Sequence, residues 1–249
     1  MNRTPLAGST AVVTGAGRGI GAACVLALAD AGADIALVAR SADELEAVAA
    51  QVRALGRQAW VRPCDITDPA QVRDVIGSLD RVDVLVNNAG IDKPTAFLDV
   101  TPELLEELLA VNVKGTFSMS QEVARRTIAV NGSASIVNMS SQLGLVGSGY
   151  ETAYCAAKFG VEGLTKSMAV ELGPKGIRVN GVAPTVVETP RTAVALANES
   201  LRQMIIGKIP LGRLATPEDV AAAVVFLASP AAGMITGVTV PVDGGWTAQ

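Results

Sequence analysis

A tyrosine and a lysine four positions apart, Tyr154 and Lys158, stand in the otherwise apolar stretch AYCAAKFGVEGL, residues 153 to 164. On a helix, positions i and i+4 share a face, so the ammonium lies one turn from the phenol and both can line one cleft. A free phenol titrates at about 10 and carries protons poorly at neutral pH. One positive charge about 5 Å away, at an effective dielectric constant of about 20, contributes about 3 kcal/mol, or about 2 pK units. The lysine is therefore expected to tune the tyrosine for general acid and base work. Competing chemistry is scarce, because the chain has no histidine. Imidazole acid–base catalysis, a Ser-His-Asp triad and His-ligated metal are excluded, and no metal is expected.

Such a pair needs a frame. Short β-branched runs alternate with helical patterns: STAVVTG at 9 to 15, DIALVA at 34 to 39, VDVLVN at 82 to 87, ASIVNMS at 134 to 140 and IRVNGVA at 177 to 183. They read as buried parallel strands. The helices between them carry start signals: a capping box of Ser41 and Glu44, and cap-proline pairs at 68–69, 101–102 and 216–217. This alternation predicts one α/β domain over 1–249, a doubly wound, Rossmann-like parallel sheet with helices on both faces. Ligands then bind at the carboxyl ends of the strands. Residues 186 to 213 insert a short amphipathic helix where a direct connection would do, which reads as a lid over the site or as a packing excursion.

At the first strand-to-helix turn stands TGAGRGIG, residues 14 to 21, with glycines at 15, 17, 19 and 21. Glycine there permits a sharp turn and lets a pyrophosphate approach the N–H groups of a helix N-terminus. The spacing is GxxxGxG; the alternative GxGxxG would need glycine where Ile20 stands. Nucleotide binding by Gly15, Gly17, Arg18, Gly19, Ile20 and Gly21 is the expectation. After the second strand, position 39 is alanine rather than an acid that would hold a ribose 2′-hydroxyl, and Arg40 follows. Two guanidiniums, Arg18 and Arg40, suit a 2′-phosphate, so NADP(H) is favoured and NAD(H) is the alternative. Asp65, read as ending the third strand in PCDITD with Ile66 beside it, suits either an adenine contact or a tight turn.

NNAG at 87 to 90, VNVKG around Asn112 and NMSS ending at Ser141 join the glycine loop and Tyr154 with Lys158. In this order and spacing, including the thirteen residues from Ser141 to Tyr154, the chain resembles the short-chain dehydrogenase/reductase family from residue 8 to VDGG at 242 to 245. The resemblance implies an NAD(P)-dependent oxidoreductase that passes hydride between nicotinamide and a carbonyl or alcohol carbon. Tyr154 would give a proton to the carbonyl oxygen and remove it from the alcohol, while Ser141 polarises that oxygen. Lys158 would also hold the nicotinamide ribose, and Asn112 would position a water in a proton relay. Asn88, Ala89 and Gly90 would line the cofactor cleft, with Pro184, Val187 and Thr189 near the carboxamide. One departure is Thr185, where the family usually has glycine.

Substrate contacts are expected from Ser141, Gln142, Leu143, Tyr150, Val186, Leu196 and Met204, a mostly apolar set that favours a neutral ketone over a sugar acid. Tyr150 cannot take the catalytic place, since four residues beyond it stands Tyr154 rather than lysine. The alternatives are an NAD-dependent secondary alcohol or polyol dehydrogenase, a 3-oxoacyl thioester reductase and a catalytically silent dinucleotide-binding regulator. The resemblance also implies a homotetramer that pairs the helices around 102 to 128 and 152 to 172.

Composition bounds the rest. The 249 residues are 49 % hydrophobic, enough for a sizeable core, and the net charge is −4 with scattered Lys and Arg, which argues against nucleic acid. No apolar run approaches the roughly 18 residues of a membrane span, and the early apolar run is too short for a signal peptide. Cys24, Cys64 and Cys155 lack CxxC spacing and read as buried thiols. A cytoplasmic location is the expectation.

Overall fold

The computed structural model describes residues 4–248; Met1, Asn2, Arg3 and Gln249, the ends of the expected domain, lie outside the described residues. The described residues form seven parallel strands, the five expected runs plus a third and a seventh strand: β1 (Thr10–Thr14), β2 (Asp34–Ala39), β3 (Ala59–Pro63), β4 (Val84–Asn87), β5 (Ala134–Met139), β6 (Ile177–Pro184) and β7 (Thr239–Val242). They pair in the order β3-β2-β1-β4-β5-β6-β7. The chain reverses its direction of winding between β1 and β4, so a crevice opens there at the carboxyl ends of the strands.

Period-two alternation divides the core. Val13, Ile35 and Leu37 face one side and pack with Cys24 and Leu28 of α1 (Gly19–Asp30), Leu45 of α2 (Ala42–Ala54) and Val224 of α9 (Pro217–Ala228). Val12, Ala36 and Val38 face the other, against Val72 of α3 (Pro69–Gly77), Val123 of α5 (Thr116–Ala129) and Ala169 of α6 (Thr152–Leu172). Each fully buried side chain of this size contributes about 1.5–3 kcal/mol. Burial also pushes the thiols of Cys24 and Cys64 up, to about 12 and about 11, so neither is reactive at neutral pH. Cys155 is only half-buried, contrary to the expectation. Among the described residues no helix is long and apolar enough to cross a membrane.

The helix starts follow their cap signals, with one difference. Asp68 accepts from Ala70 N–H, Thr101 from Leu104 N–H and Thr216 from Asp219 N–H. Ser41 accepts from Glu44 N–H at 3.4 Å, but the Glu44 carboxylate reaches Arg18 at 3.8 Å, so only half of the predicted box is seen. The segment 186 to 213 holds two helices, α7 (Pro190–Leu196) and α8 (Glu199–Ile206), where one was expected. They close over a small core of Leu196, Ile209 and Leu214. Before α5, the helix α4 (Pro102–Leu109) continues through a π-helical turn, Ala110–Gly115, that carries Asn112.

Candidate active site

Ser141 follows β5 and Tyr154 and Lys158 lie one turn apart on α6, so the strand end and the helix face converge. Ser141 Oγ accepts from Leu143 N–H at 3.1 Å and lies close enough to the Tyr154 hydroxyl to favour its ionised form. Lys158 is 4 % exposed, and its Nζ donates to the Met139 carbonyl at 2.8 Å and lies 5.5 Å from the centre of the Tyr154 ring.

The electrostatics correct the simple tuning expected from the spacing. Burial is the largest effect on both groups: it raises the phenol above its ordinary value and lowers Lys158 to about 8. An amine that loses its proton at about 8 carries no charge at the higher pH where the phenol ionises, so it cannot pull the phenol down there. The attraction that does favour the phenolate comes from Arg191 on α7 and from the nearby Ser141 hydroxyl, while the charges of Asp92 and Glu151 oppose it.

A cleft of about 830 Å³ runs from Arg40 to Arg191 across the carboxyl ends of the strands. Its lining includes Gly15, Gly17, Arg18, Gly19, Ile20, Gly21, Asp65, Ile66, Asn88, Ala89 and Gly90 at one end. Ser141, Gln142, Leu143, Tyr154, Lys158, Pro184, Val186, Val187 and Thr189 line the other. Asn112 stands behind this wall rather than in it. A methyl group on Gly90 would meet Asn112 Oδ1 at 2.7 Å and Lys158 Nζ at 3.6 Å, so the two groups flank that glycine. Asn112 Nδ2 donates to the carbonyls of Ile91 and Leu108, while its buried Oδ1 has no partner among the described residues.

The glycine end fits a dinucleotide. Gly15 has φ +64°, and a Cβ on Gly21 would lie 2.0 Å from the Gly15 carbonyl, so the loop closes this tightly only with glycine. No side chain caps the start of α1, which leaves its first N–H groups for a phosphate. Asn88 secures the loop by donating from Nδ2 to the Thr14 and Gly15 carbonyls, and Thr14 Oγ1 accepts from the Asn88 and Ala89 N–H groups. Arg40 is exposed at the cleft's edge, and Arg18 shares its charge with Glu44, a residue that the sequence reading assigned only to a cap. Asp65 lies two residues beyond the end of β3, where it accepts from Thr67 N–H and Oγ1 and forms a turn.

Three expected substrate contacts are not brought together with the rest. Leu196 is buried in the small core beneath α7, and Met204 is 56 % exposed; neither lines the cleft. The Tyr150 ring is 70 % exposed and also outside the lining, while its backbone, at φ +64°, accepts from Thr95 N–H. Nor is the substrate end mostly apolar: Asp92, Glu151 and Arg191 line it beside Tyr154 and Gln142. Asp92 follows NNAG by two residues and Glu151 precedes Tyr154 by three, the only hints in the sequence that these acids share the catalytic face. Thr185 sits in the cleft wall without a positive φ, so the usual glycine is not needed for this turn.

A further set was not anticipated. Asn87 Nδ2 donates to Ser120 Oγ and Asn138 Oδ1, and Asn138 Nδ2 donates to Thr165 Oγ1. This buried chain ties β4 and β5 to α5 and α6 directly beneath Ser141 and Lys158, which fixes the helix against the sheet.

The family model described as enoyl-(acyl carrier protein) reductase matches residues 15–247. The D-threitol dehydrogenase of Mycolicibacterium smegmatis is 42 % identical over 97 % of this chain and 94 % of its own, and the L-xylulose reductase of Bos taurus 41 % over 98 % of each. A solved gluconate 5-dehydrogenase from Burkholderia cenocepacia, in complex with NADP and tartrate, superposes with a TM-score of 0.94 at 33 % identity, over 99 % of this chain and 98 % of that one. Similarity over almost the entire length, on a parallel sheet of this order, means that the chain belongs to the short-chain dehydrogenase/reductase family of NAD(P)-dependent oxidoreductases acting on CH–OH and C=O groups.

Proposed function

We propose that the protein is an NADPH-preferring oxidoreductase that interconverts a ketone and the matching secondary alcohol on a small polyhydroxylated carbon skeleton. The observation that carries this is the meeting of Ser141, Tyr154 and Lys158, with the ammonium 5.5 Å from the phenol ring, at one end of the cleft whose other end is the glycine loop. When bound, NADP(H) supplies or accepts a hydride at its nicotinamide. Tyr154, held protonated by burial, gives its proton to the carbonyl oxygen on reduction and removes it from the alcohol on oxidation. Ser141 donates a hydrogen bond to the same oxygen as negative charge develops. Lys158 holds the ribose, and Asn112 Oδ1, beside it, is placed to pass the proton onward through water.

Arg18 and Arg40 support the preference for the 2′-phosphate, and Pro184, Val187 and Thr189 are the carboxamide contacts of this reading. The similar threitol and xylulose enzymes support a polyhydroxylated substrate. The reading extends to one domain, a lid over residues 186–213, a cytoplasmic location and a homotetramer. Exposed Phe117, Phe159 and Val170 on α5 and α6 support the last of these.

Titration of NADPH and NADH by nicotinamide fluorescence, followed by a panel of ketones and polyols, tests the reading. NADPH should bind more tightly, and Tyr154→Phe should keep that binding while losing at least roughly 100-fold in turnover. Tight binding of cofactor with no turnover of any carbonyl or alcohol would instead support a silent regulator.

A further inference from the structure

Three charged residues at the substrate end take no part in the proton transfer above. Asp92 follows β4, Glu151 immediately precedes α6 and Arg191 lies in the first turn of α7. All three line the same cleft as Tyr154. Glu151 occupies the N-cap position of α6 yet caps none of its N–H groups. A side chain there ordinarily satisfies a free amide of the helix. The Glu151 carboxyl instead lies near that of Asp92 in the cleft.

Three acceptors on the walls of this cleft have no donors. Glu151 Oε2 and Asp92 Oδ1 are buried and have no hydrogen-bond partner among the described residues. Gln142, 5 % exposed and on the wall of the same cleft, presents Oε1 with no partner either. A buried acceptor is costly to leave unpaired, so a site built from several of them discriminates strongly between ligands that bring donors and ligands that do not.

We propose that Asp92, Glu151 and Gln142 are the specificity-determining residues of a hydroxyl-reading subsite, which takes a neutral polyol or ketose by accepting hydrogen bonds from the hydroxyls that flank the reacting carbon. The inference rests on the oxidoreductase reading and names the substrate class of that site. Charge selects among the candidates. Burial first, then the neighbouring Asp92 carboxyl, push Glu151 up to about 8, against the pull of Arg191. Glu151 therefore keeps its proton at neutral pH and adds no negative charge to the cleft. Tyr154 and Lys158 complete the titratable groups that feel this cluster. A plain ketone would cover the acceptors with carbon and leave them unpaired, and the carboxylate of a sugar acid would bring further acceptors rather than donors. A neutral polyol supplies the missing donors without either cost.

The test uses four-carbon probes matched in size. Holoenzyme with NADP+ is given threitol, 2-butanol and threonate, in wild type and in Asp92→Leu and Glu151→Met, which remove the acceptors at similar volume. Wild type should favour threitol over both others in kcat/KM, by roughly 100-fold against 2-butanol, and each variant should cut the threitol-to-butanol ratio roughly 10–100-fold, mainly through KM. Equal losses on threitol and 2-butanol, or a wild-type preference for 2-butanol or threonate, would overturn the subsite. A binding measurement separates this from the activity itself. In Tyr154→Phe loaded with NADPH, threitol should quench the nicotinamide fluorescence saturably, and more weakly once Glu151→Met is added. That result supports the subsite even if no alcohol turns over. Turnover of alcohols with no difference between threitol and 2-butanol binding sinks the subsite and leaves the oxidoreductase reading standing.

Discussion

Tyr154 and Lys158 shift in opposite directions for one reason, since burial penalises the charged form and that form is the phenolate in one case and the ammonium in the other. The consequence for Lys158 has a definite sign. Its folded value, about 8, lies below its ordinary 10.5, so its positive charge is lost as pH rises through 8. NADPH affinity, measured by fluorescence titration from pH 6.5 to 9.5, should therefore weaken above pH 8. In the cofactor-free protein the same group contributes stability that is present above 10.5 and lost as pH falls through 8. At this scale the YxxxK spacing was legible because i and i+4 fall on one helix face whatever surrounds them. The direction of the phenol shift was not, because desolvation depends on what α6 packs against.

The strand-turn-helix around the glycine loop was legible as an element, since β-branched residues, four glycines and an apolar helix follow one another from Thr10 to Asp30. Its tolerance follows from the backbone. A Cβ at Gly21 would fall 2.0 Å from the Gly15 carbonyl, which cannot give way as a flexible side chain could. Gly21→Ala should lower the melting temperature by roughly 5–10 °C and weaken NADPH binding at least tenfold, as calorimetry and fluorescence titration would show. Other elements were hidden. The start of α7 is a reciprocal box between Thr189 and Thr192, which lacks the Glu or Gln that marks such boxes in sequence. The π-helical turn that directs Asn112 toward Lys158 has no sequence signature either, as it depends on how α4 and α5 are held against their neighbours.

Across the whole molecule, the sheet order sets a division of labour: the cleft opens where β1 and β4 adjoin, with β2 and β3 on the glycine-loop side and β5 and β6 on the catalytic side. The outer faces of α5 and α6 carry Phe117, Phe159 and Val170, which are 45 %, 50 % and 80 % exposed. On the proposed tetramer, light scattering should report the mass of four chains, and Val170→Asp should shift it toward smaller species. A single chain's mass for the wild type would remove the tetramer from the reading.

By itself the sequence determined the parallel α/β architecture, the glycine loop, and the presence of Ser141, Tyr154 and Lys158 on successive elements. These depend on local periodicity and on spacings within one turn or one loop, which the chain carries wherever it folds. Only the tertiary structure decided that Asp92, Glu151 and Arg191 meet at the substrate end, that Tyr150, Leu196 and Met204 stay outside the cleft, and that burial governs both members of the catalytic pair. Those outcomes depend on side chains brought together from β4, α6 and α7, and on how much water the assembled walls exclude, neither of which any local stretch of sequence contains.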